Sequence, residues 1–218
     1  MRRVITGAMI SLDGVMQAPG GPEEDPTGGF RFGGWVAPLA DDPVFGEEIG
    51  KLFGQPFDLL LGRRTYDIFA AYWPYSQEPG AAELNAAGKY VASRTLAQVD
   101  WENSQLLKGD VAQAIARLKK ENGPELQVHG SANLIQTLLR HGLIDELRVW
   151  IFPVVLGRGK RLFAEGTVPA GLELVDSKTA STGVVFLTYR PAGEPRKGSL
   201  ATGEPSAAEL ERRKRLGD

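Results

Sequence analysis

The chain has 218 residues, of which 42% are hydrophobic and 24% are charged, and its formal net charge is −2. At about 150 residues per domain, this length predicts one large domain with additional segments. The balance of 25 basic against 27 acidic residues excludes a broadly basic nucleic-acid-binding protein. With no cysteine in the sequence, disulfides, thiolate nucleophiles and cysteine-ligated zinc are excluded as well.

No apolar run approaches the roughly 18 residues that a membrane span requires, and residues 1–10 lack the apolar segment of a signal peptide. We therefore expect a cytoplasmic protein with neither membrane nor nucleic-acid partners. No metal site is expected, because His129 and His141 are twelve residues apart with no matching carboxylate pattern. Each histidine is interpreted as a strand-end or surface residue.

Short apolar or alternating runs predict strands, and a 3.6-residue apolar period predicts helices. In chain order the strands are 2–9, 57–62, 88–93, 125–129 and 145–152, and the helices are 43–53, 64–71, 110–121 and 131–140. Segments 172–180 and 183–190 then predict an antiparallel hairpin. This order predicts an α/β fold whose mostly parallel central sheet has helices on both faces and a C-terminal antiparallel hairpin.

Two segments stand apart from this alternation. Residues 17–38 hold six glycines and four prolines, and a loop of this length is usually a functional lid or disordered. Its aromatic residues, Phe30, Phe32 and Trp35, favour an ordered lid. Residues 191–218 form a polar tail outside a domain at 1–190, with a short helix predicted after Ser206.

Three predicted strands are each followed at once by small, hydroxyl or arginine residues: GRRTY at 62–66, SRT at 93–95 and GSANL at 130–134. Parallel strands end at one edge of a sheet, where helix N-termini present free amides to a ligand. Each junction alone is an ordinary helix start with surface arginines. Three together predict a phosphate-rich dinucleotide, although neither a G-x-G-x-x-G fingerprint nor a P-loop is present.

Two further motifs, SLDG at 11–14 and PVVLG at 153–157 followed by Leu162-Phe163, complete an ordered set with these junctions. The set resembles the dihydrofolate-reductase-like superfamily. It is most similar to stand-alone domains like the reductase half of the bifunctional riboflavin-pathway deaminase–reductase. The resemblance covers about residues 3–190 and implies the dihydrofolate-reductase-like fold.

The resemblance also implies NADPH as cofactor. Its phosphates would be held by Gly62, Arg63, Arg64 and Thr65, its 2′-phosphate by Ser93, Arg94 and Thr95, and its pyrophosphate by Gly130, Ser131, Ala132, Asn133 and Leu134. The nicotinamide would be lined by Thr6, Gly7 and Ala8 and by the loop that ends at Gly14. Arginines with hydroxyl groups favour a 2′-phosphate over a ribose hydroxyl.

Folate reductases place a carboxylate early in the helix after the first loop, and the nearest acids here are Asp41 and Asp42. Asp13 is another catalytic candidate, although Asp-Gly equally suits a turn. Trp35 would help to exclude water from the reacting ring.

The function that the resemblance implies is an NADPH-dependent reductase of a small heteroaromatic substrate, either a pteridine or a ribosylaminopyrimidine. A flavin or deazaflavin fits the same junctions less well. A non-catalytic nucleotide-binding protein with the same fold is the alternative from a different class. We also expect a homodimer, because related domains commonly pair and 145–156 reads as an apolar strand near the sheet edge.

Overall fold

The computed structural model describes residues 1–200 and 202–216. In these residues eight strands form one sheet, with the order β4-β3-β2-β5-β1-β6-β8-β7. The strands are β1 Val4–Ser11, β2 Phe57–Gly62, β3 Lys89–Ala92, β4 Ser104–Leu107, β5 Glu125–His129, β6 Glu146–Phe152, β7 Leu172–Thr179 and β8 Val185–Pro191. Strands β1 to β6 pair in parallel, and β8 runs antiparallel to both β6 and β7.

The described part of the chain also holds six α-helices: α1 Pro43–Phe53, α2 Arg63–Tyr72, α3 Ala81–Ala86, α4 Val111–Lys120, α5 Ala132–Arg140 and α6 Ala207–Leu216. One face of the sheet packs against the apolar stripes of α4 and α5, including Ile115 and Leu138, which are fully buried. The opposite face packs against α1, α2 and α3 through two further apolar clusters. Helices therefore cover both faces of a mostly parallel sheet, which confirms the predicted fold class.

The helix starts follow from local chemistry. Asp42 caps α1 by accepting a hydrogen bond from the Val44 amide at 2.8 Å, and Pro43 occupies the first turn, where no amide donor is needed. Asp110 caps α4 in the same way through the Gln113 amide, as the sequence predicts. These caps satisfy amides that have no acceptor inside the helix.

Two elements escape the sequence prediction. β4 is only four residues long with the sequence SQLL, and α3 is a six-residue helix that begins after a glycine with positive φ. Both are too short to show a period. β4 is nevertheless the outermost parallel strand of the sheet, and it pairs with β3 from Lys89 to Ala92.

The prediction that 145–156 lies near the sheet edge is wrong, because β6 is paired on both sides, with β1 and with β8. The two edges of the sheet are β4 and β7, and β7 leaves Leu174 half exposed and Val175 43% exposed. A homodimer stays a prediction, and the exposed strand that it would cover is β7 rather than β6.

The lid segment 17–38 is folded onto the core. Phe30 and Trp35 are both 8% exposed within the cluster that also holds Phe152. The tail carries α6 after Ser206, whose hydroxyl accepts a hydrogen bond from the Glu209 amide. Residues 192–193 still pair with Gly171, so the hairpin extends slightly into the segment read as tail. Within 1–200 and 202–216, no helix is long and apolar enough to cross a membrane.

Candidate active site

The carboxyl ends of β3, β2, β5 and β1 follow one another along one edge of the sheet. This order brings together the three predicted junctions and the loop after β1. Because strands β1 to β6 are all parallel, their carboxyl ends lie at this one edge, where α2 begins after β2 and α5 after β5. It is the place where an open α/β sheet binds ligands.

Two of the junctions are joined through one hydroxyl group. Ser131 Oγ accepts a hydrogen bond from the Gly62 amide at 2.9 Å and lies 2.6 Å from Thr65 Oγ1. A Cβ on Gly62 would approach that same Oγ to 2.9 Å, so only glycine fits beside it. The glycine of the first motif and the serine of the third are therefore one structural unit.

The third junction turns sharply before α5. Gly130 and Ser131 both have positive φ, at 73° and 66°, and the Gly130 amide donates to the Gly7 carbonyl at 3.1 Å. A serine in this region is strained, and its two hydroxyl contacts offset that strain. The amides at the start of α5, on Ala132 and Asn133, lack helical acceptors and suit an anion; Leu134 behind them is buried.

The second junction, after β3, carries a hydroxyl cluster. The Ser93 hydroxyl accepts hydrogen bonds from the Thr95 and Leu96 amides, and Arg63 donates to Thr95 Oγ1 at 2.8 Å. Arg63 also lies 3.4 Å from Asp67. Arg94 is exposed. Ser93, Arg94, Thr95 and Arg63 thus form one cationic corner at this end of the edge.

Arg64 is directed away from that corner. Its Nη1 lies 2.9 Å from Asp25 Oδ1, and Asp25 is also bonded to the Lys160 ammonium. Burial acts to raise the pKa of Asp25, but the hydrogen bonds from Lys160 and Thr27 and the two nearby charges outweigh it and lower the pKa. Arg64 therefore ties the lid to α2, while Arg63 and Arg94 remain beside Ser93.

Asp13 holds two loops together. Its carboxylate accepts hydrogen bonds from the Ser11 hydroxyl at 2.6 Å and from the amides of Leu156 and Gly157. The Ser11 hydroxyl, followed by the Leu156 amide, lowers the pKa of Asp13 to about 2. Gly14 follows with φ of 80° and closes the turn. Asp13 is therefore an anion that anchors the loop after β1, and its predicted catalytic role stays untested.

The other catalytic candidates lie at the start of α1 and in the lid. Asp42 caps α1, and its second oxygen accepts from the Ser181 amide and hydroxyl, which lower its pKa. Asp41 is exposed. Trp35 donates to the Gln17 carbonyl at 2.8 Å and packs edge-on against Phe152, with ring centres 5.3 Å apart. Trp35 shields the core beneath the lid.

Neighbouring residues of β1 point to opposite faces of the sheet. Thr6 and Ala8 are buried on the face that packs against α4 and α5. Gly7 faces α1 and α2, where a Cβ would meet only the Val128 carbonyl oxygen, at 4.0 Å. Of the three β1 residues predicted to line the nicotinamide, Gly7 is the one that lies on this side, and the structure leaves room there for a Cβ.

The register places polar side chains on both sides of Gly7. It pairs with His129 of β5 and with Arg148 of β6, so all three share one face. The Phe69 ring of α2 lies 6.5 Å from the His129 ring, and the Leu52 carbonyl of α1 accepts from Gln127 at 2.8 Å. We call the site formed by Gly7, Gln127, His129 and Arg148 on the face beneath the helices α1 and α2 the polar cleft.

The polar cleft does not follow from the sequence prediction, in which His129 is a strand-end or surface residue. A signal was present in the alternation of β5, where Glu125, Gln127 and His129 interleave with buried Leu126 and Val128. A polar row on one face of a central strand is typical of a functional surface, since such strands are normally apolar on both faces.

Comparison with known proteins agrees with this architecture. In Bacillus subtilis strain 168, the uncharacterized protein YyaP is 29% identical over 197 residues, covering 86% of this chain and 94% of YyaP. The uncharacterized protein YwjB of the same strain is 28% identical over 181 residues, covering 81% of this chain and 91% of YwjB.

Two examples illustrate the solved structures that share this fold. One is a protein named for riboflavin biosynthesis from Shewanella sp. PV-4, with a TM-score of 0.58 and 21% identity over 88% of this chain and 99% of its own. The other is a pyrimidine reductase-like protein from Corynebacterium diphtheriae, with a TM-score of 0.57 and 13% identity over 88% and 93%. The family model of the RibD C-terminal domain matches residues 2–186, so this chain belongs to the RibD C-terminal domain family.

Proposed function

We propose that this member of a reductase-like family transfers hydride from NADPH to a small heteroaromatic substrate of the pteridine or ribosylaminopyrimidine type. The observation that best supports the proposal is a hydrogen bond that links the phosphate-binding edge to the polar cleft. The Gly130 amide, at the start of the phosphate-binding turn, donates to Gly7, the floor of the polar cleft. An anion-binding edge and a polar cleft that share one hydrogen bond suit a cofactor and a substrate in contact.

The residues of the edge fit a phosphorylated nicotinamide cofactor, which supplies hydride when bound. The amides of Ala132 and Asn133 would hold the pyrophosphate at the positive end of α5. The cationic corner of Arg63, Arg94 and the two hydroxyl residues suits a 2′-phosphate, because guanidinium groups bind phosphate through paired hydrogen bonds.

In the polar cleft, this chain's own residues would bind and orient the substrate ring. Gly7 leaves the floor open, and Phe69 borders the side of α2. The lid, closed by Asp25, Arg64 and Lys160, would limit the entry of water. Among Asp13, Asp41 and Asp42, Asp41 is the one whose carboxylate accepts no amide hydrogen bond from the described residues, so it is the candidate proton source, and its role stays a prediction.

One observation favours the alternative, a nucleotide-binding protein without catalysis. Asp13 and Asp42 each accept at least three hydrogen bonds, and both pKa values are lowered. Neither is therefore suited to donate a proton near neutral pH. This alternative predicts cofactor binding with no turnover.

The test is NADPH oxidation over a panel of pterins and aminopyrimidines, beside binding titrations of NADPH and NADH. We expect turnover with at least one ring and NADPH binding at least tenfold tighter than NADH, since a charge-assisted contact contributes about 1.5–3 kcal/mol. Arg94→Gln should reduce that preference, whereas Arg64→Gln, the matched control, should retain it. Equal affinity for the two nucleotides would contradict the cofactor assignment, and binding without turnover would favour the alternative.

A further inference from the structure

We propose that the polar cleft selects an acidic heteroaromatic ring, with a hydrogen-bond donor at one edge bound by His129 and an anionic oxygen at the other edge bound by Arg148. The inference rests on the proposed function, because it names the substrate class of that same site. It is supported by two rows of side chains: the row on β5 leaves a hydrogen-bond acceptor free on His129, and the row on β6 leaves donors free on Arg148.

The row on β5 fixes which nitrogen of His129 carries the proton. Gln127 Nε2 donates to the Leu52 carbonyl and to Glu125 Oε1, each at 2.8 Å. Both partners are acceptors only, so the amide can point only its Oε1 at His129. His129 Nε2, 2.9 Å from that oxygen, must therefore donate.

The ring of His129 is consequently an acceptor on its other side. Burial, followed by the charge of Arg148, lowers the pKa of His129 to about 4, so the ring is neutral near pH 7. A neutral imidazole with its proton on Nε2 keeps a bare lone pair on Nδ1. Nδ1 makes no hydrogen bond within residues 1–200 and 202–216, so it can accept one from an N–H or O–H group of a ligand.

The row on β6 leaves a cation with unused donors. Arg148 Nε donates to Glu146 Oε1 at 2.9 Å, and the second oxygen of Glu146 accepts from Arg3 at 2.6 Å. One carboxylate thus faces two guanidinium groups. The Arg148 side chain is only 20% exposed, and its terminal nitrogens have no acceptor in the part of the chain that the structure describes.

A mostly buried cation with excess positive charge favours an anionic ligand, and a guanidinium fork suits two oxygens. His129 and Arg148 flank the same residue, Gly7, on the strands either side of β1. Two strand spacings separate their Cα atoms by about 9–10 Å. A planar ring standing over Gly7, with groups at opposite edges, would span this gap.

The first test measures the acceptor directly. The sequence has two histidines, and His141 is exposed at the end of α5, so protein labelled with ¹⁵N-histidine gives one cleft signal and one reference signal. Long-range ¹H–¹⁵N spectra at pH 7 should show His129 protonated on Nε2 alone. Gln127→Leu should remove that tautomer preference. A His129 ring protonated on Nδ1, or charged, would overturn the inference.

The second test uses three probes of one ring: orotate, a uracil ring with a carboxylate; uracil itself; and 1,3-dimethylorotate, which lacks N–H donors. Affinities are measured by calorimetry with and without NADPH. We expect orotate to bind at least tenfold tighter than uracil, in line with a charge-assisted hydrogen bond to Arg148. It should also bind about fivefold or more tighter than 1,3-dimethylorotate, which leaves the His129 acceptor without a partner. Equal binding of all three, or no binding of orotate at millimolar concentration, would overturn the inference.

Variants separate the two ends of the ring. Arg148→Met should abolish the preference for orotate over uracil, whereas Arg3→Met, which also removes a cation from Glu146 but on a half-exposed side chain, should retain it. His129→Leu should abolish the preference over 1,3-dimethylorotate. Retained preferences in Arg148→Met or His129→Leu would contradict the assignment. The titrations without NADPH do not depend on the cofactor. If NADPH fails to bind, the proposed function is overturned, but the preference for orotate can still be measured.

Discussion

On β5, Leu126 and Val128 point into the apolar layer beneath α4 and α5, whereas Glu125, Gln127 and His129 point between α1 and α2. On β1 and β6 the same face is polar only around Gly7 and Arg148, because Trp150 and Phe152 beyond them pack in an apolar cluster. At the centre of the sheet, one set of positions therefore builds the core, and the set between them builds the polar cleft. The difference teaches that a central strand can stabilise the fold and form a site at once, because its side chains alternate.

The largest expected effect lies on the core face. Leu126 is fully buried, and Leu126→Ala should lower the free energy of unfolding by about 2–5 kcal/mol through lost burial and the cavity left behind. Urea unfolding measures this. NADPH and orotate affinities of the folded variant should match those of the wild type. A folded variant with weakened ligand binding would show that the two faces are not independent.

The next effect lies on the cleft face. Gly7→Val should weaken orotate binding or turnover by about 100-fold, because the side chain occupies the floor where the ring stands. The melting temperature should stay near that of the wild type, since the nearest atom to a Cβ is 4.0 Å away and valine suits a strand.

The matched control for Gly7→Val is Val4→Leu, on the core face of the same strand. Its added methylene should cost about 1–3 kcal/mol of stability while leaving ligand affinity unchanged. If Gly7→Val is destabilised but binds orotate with normal affinity, the ring does not stand over Gly7, and the two faces do not divide stability from binding.

Local patterns predict the elements well here: the structure places β2 at 57–62, β5 at 125–129 and α1 at 43–53, where the sequence predicts them. The polar cleft depends instead on register. Nothing in the chain around Gly7 shows that β5 and β6 lie on either side of it. The role of Arg64 is hidden for the same reason, since Asp25 is 39 residues away in sequence.

A smaller effect should appear as a pH dependence of stability. The pKa of His129 is lowered to about 4 in the folded chain, against about 6.5 when unfolded. Between these values the unfolded chain binds the proton more readily, so acidification from about pH 6.5 to 4 should destabilise the fold. His129→Gln should flatten this part of the profile, and His141→Gln should not.

Carboxylates such as Asp13, with a pKa lowered to about 2, change the stability only at lower pH. Their contribution and that of His129 can therefore be separated by thermal melts at a series of pH values. Identical slopes between pH 4 and 6.5 for wild type and His129→Gln would mean that the ring is solvated rather than desolvated. The cleft face would then be more open than the contacts with Gln127 and Phe69 imply.

The smallest effect is expected from the tail, whose described side chains are mostly exposed. No described side chain from 195 to 216 is buried, and Leu210 and Leu216 are 47% and 71% exposed. Deleting 195–218 should therefore leave the melting temperature and NADPH affinity nearly unchanged, because little apolar area is lost. Deleting 191–218 should lower the melting temperature, because it also removes Pro191 from β8 and the pairing of residues 192–193 with Gly171. If the shorter deletion changes the oligomeric state measured by light scattering, α6 contacts a second copy of the chain. If it abolishes NADPH binding, the tail belongs to the active site.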